Sequence, residues 1–129
     1  TIPADVAGNL YIQIRMITAL AVMGGYDPQD YHIKTLVFIT LLGMSSIDIS
    51  KRMGIYIGSR ITVQAVKNCS EKCLRKINEA AGYRLVMVLY HDGINVVSKA
   101  PVYESGLIEP FDSNFIKMVA KRAVDLFLQ

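Results

Sequence analysis

No stretch of this sequence reaches the roughly 18–20 uncharged apolar residues that a membrane-crossing helix requires. Arg15 interrupts the first candidate, and the second, Leu36 to Met44, is about half the required length. Charge is scarce as well. Asp, Glu, Lys and Arg make up only 19% of the chain, whereas a disordered chain shows high charge and low hydrophobicity. The formal charge of +3 is mild, and basic residues are scattered apart from Lys51-Arg52 and Lys121-Arg122. A nucleic-acid partner calls for a denser basic footprint with aromatics beside it, so none is expected.

Potential metal ligands are few. The sequence has two cysteines, Cys69 and Cys73, and two histidines, His32 and His91, which stand far from them. A zinc centre takes three or four protein ligands, so no metal site is expected. There is no Gly-x-Ser-x-Gly elbow, Walker loop or dinucleotide fingerprint, and no cofactor is implied. His91-Asp92 resembles a catalytic pair only in composition, since adjacent residues do not converge easily; His-Asp-Gly reads more simply as a turn. Residues 1–23 lack the charged start and small-residue cleavage site of a signal peptide.

What remains is an apolar chain, 52% hydrophobic over 129 residues, suited to one domain with a core that needs neither disulfide nor metal. Thr1 in place of methionine leads us to expect that residues 1–129 are the core of a longer or processed chain. The expected architecture is all-α: a compact bundle of about five helices, built on an antiparallel helical hairpin, with a long central helix or kinked pair.

The first helix starts at Pro3 and Asp5 and stops at Gly24-Gly25. It is apolar almost all round, through Val6, Leu10, Ile14, Ile17, Leu20 and Ala21, and such helices are usually central in a bundle. Gly25-Tyr26-Asp27-Pro28 is a turn, and Asp27 or Asp30 can cap a second helix from about Pro28 to Leu42. Gly43 to Ser46 is a break, after which Asp48 or Ser50 can cap a third segment. That segment has no proline up to Ala81. It reads as one long helix or two with a kink near Gly58 or Asn68, weakened at its start by Gly54 and Gly58 and stopped by Gly82. Tyr83 to Tyr90 fits a buried strand or a short helix equally, and residues 93–110 read as irregular. Asp112 or Ser113 can cap a last helix with Phe115, Ile116, Val119, Ala120, Ala123 and Phe127 on one face.

The run Ile2-Pro3-Ala4-Asp5, then Gln13-Ile14-Arg15, then Gly25-Tyr26-Asp27 resembles the opening of EcsC family domains over about residues 2–44. Lys99-Ala100-Pro101-Val102 and Phe111-Asp112, ahead of Ala120 and Phe127, are similar to the family's proline and its last helix start. The departure is Tyr103-Glu104-Ser105-Gly106 with Pro110, where the family is rich in glycine. The Pro-x-Asp start and Gln-x-Arg pair are also similar to those of the YcjF-like domain of unknown function. The resemblance implies a bacterial, helical protein of a family without a settled biochemical activity. The EcsC family is named from a gene beside an ABC transporter linked to secretion, and membrane association is suspected for it. It carries no established catalytic residue to this chain.

Asp5, Asn9 and Gln13 follow one another at i+4 steps and, with Arg15, form the polar edge of the first helix. They are the candidate ligand-binding residues. Asp5 and Arg15 cannot pair within the helix, because ten residues separate them by about 80° and about 15 Å. Asp5 is expected to interact with its own helix start, and Arg15 to pair with a carboxylate or helix end on a neighbour. Cys69 and Cys73 continue a stripe with Ile61, Ala65 and Ile77 and read as small core residues, since an i,i+4 disulfide is geometrically poor. Gly54 and Gly58, flanked by Arg52 and Arg60, suggest close packing of soluble helices.

Two functions follow. One is a non-catalytic membrane-surface or protein-interaction module, at the cytoplasmic face of the membrane or in the cytoplasm, able to self-associate or to meet a membrane-protein partner. The other is a helical domain with an internal lipid or small-molecule pocket, an enzyme in the extreme case, using Asp5, Asn9, Gln13 and Arg15.

Overall fold

The computed structural model of the chain describes residues 4–94 and 112–128. Within them the fold is all-α: α1 (Ala4–Met23), α2 (Tyr31–Leu41), α3 (Ser46–Met53), α4 (Val63–Lys67), α5 (Glu71–Ile94) and α6 (Ser113–Phe127). Most of residues 93–110, including Lys99-Ala100-Pro101-Val102, lie outside the described residues.

The centre of the bundle is α2, not α1. Seven of the eleven residues of α2 are buried: Ile33, Thr35, Leu36, Val37, Ile39, Thr40 and Leu41. It packs against α1, α4, α5 and α6. On α1 only Val6, Gln13, Ile17 and Ala21 are buried, against α2 and α6, although the helix is nearly twice as long. Ile14, expected in the core, is exposed. Both helices are apolar round most of their circumference, so periodicity alone does not say which one is surrounded.

Helix ends follow from local chemistry. Asp30 caps α2 by accepting from the His32 backbone N–H at 2.8 Å. That bond, and then the neighbouring His32 ring, holds the Asp30 carboxyl below the usual carboxylate range. At the end of α2, Gly43 N–H reaches Thr40 O and Met44 N–H reaches Ile39 O, a Schellman motif. Gly43 has φ +66° and lies so close to Phe115 and Met118 that a side chain there would strike both. Asp112 caps α6 through Phe115 N–H at 2.7 Å.

The segment expected to form one long or kinked helix is three helices. Ser45, rather than Asp48 or Ser50, caps α3, with Asp48 closing a capping box as its third residue. Gly54 does not weaken a helix; it ends one, in the left-handed conformation that an L side chain resists. Residues 54–62 are then non-helical, so Gly54 and Gly58 do not form a helix-packing pair. Thr62 caps the short α4, and the Ser70 hydroxyl accepts from Cys73 N–H at the start of α5. Gly82 stops nothing: α5 runs through it, through the Tyr83–Tyr90 stretch and through His91-Asp92-Gly93 to Ile94.

The Asn78 amide ties α5 to the centre. The two N–H bonds of its Nδ2 are shared among Thr35 Oγ1 at 2.7 Å, Leu74 O at 3.0 Å and Tyr31 Oη at 3.1 Å. Thr35 is buried, so removing its partner leaves a desolvated hydroxyl. Asn78→Ala is expected to lower stability by about 1–2 kcal/mol in urea unfolding, with the helical circular dichroism of the folded state unchanged.

Candidate functional site

The four candidate residues on α1 do not converge. Four residues span 400° of an ideal helix, so each i+4 step drifts by about 40°. The drift carries the row from solvent into the core: Asp5 is exposed, Asn9 is half-buried and Gln13 is buried at 6% exposure. Arg15 lies on the outer face, where its Nη1 donates to Tyr11 Oη at 3.0 Å with the guanidinium over the Tyr11 ring.

Gln13 stands out chemically, because its buried Oε1 has no hydrogen-bond partner among the described residues. A desolvated, unsatisfied carbonyl costs about 1–3 kcal/mol. Gln13→Leu, of similar size, is therefore expected to match or exceed the parent in stability, by up to about 1 kcal/mol in urea unfolding. A loss of more than about 2 kcal/mol would mean that the amide holds an essential partner.

The outer face of α1 is unusual for a helix packed on a domain. Tyr11, Ile12, Val22 and Met23 all project into solvent, Ile12 at 60% and Met23 at 70% exposure. Gly8 and Ala19 lie between them, and Arg15 is the charge in the middle of the face. Against the expectation drawn from Arg15, length and composition suffice for a membrane helix: it has 20 residues and a mean hydropathy of 1.4, and only 22% of that stretch is buried. Sequence reasoning missed this face because a helix apolar all round has no preferred side to point out.

Cys69 and Cys73 do not share a helix. Cys69 sits in the turn after α4 and Cys73 in the first turn of α5. Their Sγ atoms are 2.9 Å apart, both cysteines are free and half-buried, and both pack against the core. Burial, then the bond with Cys73, pushes the Cys69 thiol up to about 12, which leaves it protonated and a poor nucleophile at neutral pH. Among the described residues no cluster of His, Cys, Asp and Glu could hold a metal ion.

A cavity of about 550 Å³ opens elsewhere, between the end of α2, the 54–62 segment and the C-terminal half of α6. Tyr26, Met44, Ile61 and Leu126 supply apolar lining, and Arg60, Arg122 and Asp125 supply the charges. Arg122 Nη1 donates to Gly43 O at 2.8 Å. The Ser46 hydroxyl donates to Ser59 O at 2.8 Å, which ties the 54–62 segment to α3 beside Arg60. None of Asp5, Asn9, Gln13 and Arg15 lines this cavity. Its residues come from four separate parts of the chain, and no local motif announces them.

No protein family, curated protein or solved structure matches this chain.

Proposed function

We propose that this chain is a non-catalytic domain that docks on an anionic membrane surface through the outer face of α1, consistent with EcsC-like membership. The observation that carries the reading is the exposure of Tyr11, Ile12, Val22 and Met23 along one 20-residue helix. An interfacial helix buries such a face about 5–10 Å into the headgroup boundary, with its axis in the membrane plane. Arg15, held against Tyr11, supplies a cation at headgroup level beside an aromatic ring that suits the same depth.

Lying flat is favoured over crossing. Val6, Gln13, Ile17 and Ala21 pack against α2 and α6, and a crossing helix would give up those contacts. The basic balance of the chain agrees with an anionic partner surface, and the cytoplasmic leaflet is where such lipids lie. The resemblance to a family with suspected membrane association points the same way.

Cosedimentation with anionic phospholipid vesicles at low salt tests the proposal. The domain is expected in the pellet, and Ile12→Glu with Met23→Glu is expected to weaken binding at least about tenfold. Both residues are exposed, so the variant folds normally. A domain that stays in the supernatant at low salt, or a double variant that binds as before, overturns the reading. A vesicle-independent dimer or a captured membrane protein dependent on the same two residues would assign the face to a protein partner instead.

A further inference from the structure

We propose that the cavity between α2, the 54–62 segment and α6 is a binding site for a small amphiphilic anion: one carboxylate or phosphate group on a short apolar body. Its volume of about 550 Å³ falls in the range of small-molecule pockets, about 300–1,000 Å³. Its lining is divided. Tyr26, Met44, Ile61 and Leu126 offer hydrocarbon and ring surface, while Arg60 and Arg122 offer guanidinium groups.

Both cations spring from fixed backbone. Arg122 spends one donor on Gly43 O, and Gly43 is itself wedged against Phe115 and Met118. A guanidinium has five N–H donors in a rigid fork, so most of the Arg122 fork stays available to a planar anionic group. Arg60 follows Ser59, whose carbonyl is held by the buried Ser46 hydroxyl, and precedes Ile61 and the α4 cap Thr62. Among the described residues neither arginine is ion-paired; the two ion pairs there are Asp30–His32 and Asp48–Arg84. A cation without a carboxylate partner, next to apolar lining, suits an anion whose tail that lining can cover.

The charge balance sets the size of the anionic group. Asp125 shares the lining, so Arg60 and Arg122 leave one positive charge in excess. That suits one carboxylate, or one phosphate monoester of charge about −1.5 to −2 reaching both arginines, and disfavours a polyphosphate. The site uses no residue of α1, so it stands or falls independently of membrane docking.

Amide NMR titration of the folded domain with octyl phosphate, kept below its micelle concentration, tests the site, with inorganic phosphate and octanol as separate arms. Saturable shifts are expected at Thr40, Ser59, Val63 and Leu126, and each half-ligand alone is expected to bind at least about tenfold more weakly. Arg60→Gln with Arg122→Gln is expected to weaken octyl phosphate at least about tenfold and leave octanol unchanged. Because Arg122→Gln also removes the bond to Gly43, Arg60→Gln alone is the second variant, with an expected loss of about threefold or more. The absence of saturable shifts at those amides overturns the proposal. So does inorganic phosphate binding as tightly as octyl phosphate, or unchanged affinity in Arg60→Gln.

Discussion

Gly24→Ala, just past the end of α1, is expected to destabilise the domain by about 3 kcal/mol, whereas Gly8→Ala, inside α1, stabilises it by about 0.5–1 kcal/mol. The contrast isolates packing from propensity. A methyl at Gly24 would collide with the Phe127 carbonyl oxygen, a backbone atom that cannot rotate aside. At Gly8 a methyl meets nothing within 4 Å, so only the helix-forming advantage of alanine remains. The cost at Gly24 is large because the end of α6 must retreat with it. Phe127 is almost fully buried and its ring packs against Tyr26 at 5.8 Å between centroids. Gly24 also lies inside the Schellman turn in which Tyr26 N–H reaches Ala21 O, so the strain falls on the joint between α1, α2 and α6. Urea unfolding of the two variants against the parent measures both shifts; a Gly24→Ala midpoint equal to the parent's would mean that the α1–α6 joint is loose.

Asp48→Asn is expected to cost about 2 kcal/mol at neutral pH, and the gap to the parent is expected to close in acid. Asp48 serves two functions with one carboxylate. Its Oδ2 accepts from Ser45 N–H at 2.8 Å, completing the capping box of α3, and meets Arg84 Nη1 of α5 at 3.2 Å. Burial alone would raise its pKa. The Ser45 backbone bond, the charge of Arg84 and the side-chain bonds outweigh that and hold the carboxyl below its usual range. A carboxyl with a lowered folded pKa contributes stability that is fully present above the unfolded value, about 3.9. That contribution is lost as pH falls through the lowered folded value. Asparagine keeps the shape and one acceptor but has no charge to lose. Urea midpoints at neutral pH and near pH 3 read both halves of the prediction, and a gap of equal size at both would remove the electrostatic part.

Features governed by a few neighbouring residues were legible in the sequence. Asp30 and Asp112 cap the helices they were expected to cap, Gly24-Gly25 and Gly43 end theirs, and Phe115, Val119, Ala123 and Phe127 form the buried face of α6. Features that depend on the rest of the fold were not. Gly54 and Gly82 look alike in sequence, yet only Gly54 adopts φ +65° and ends a helix. The stripe from Ile61 to Ile77 assumes an unbroken helix, and the turn at Asn68 to Ser70 breaks it. The polar edge of α1 looked like a site because i+4 spacing approximates a line, and the 40° drift per step disperses it. The rank of α1 and α2 was hidden for another reason: each could have been central, and the neighbours available to α2 decide it.

The sequence has no tryptophan, so Ile12→Trp places a sole indole on the outer face of α1, and Lys72→Trp places one at an exposed position of α5 as a reference. Tryptophan emission of each variant with and without anionic vesicles tests membrane docking most directly, since emission shifts to the blue when the ring leaves water. Docking through α1 predicts a blue shift for Ile12→Trp that saturates with lipid and no shift for Lys72→Trp. Emission from Ile12→Trp that stays aqueous at saturating lipid, or an equal shift at both positions, would contradict it.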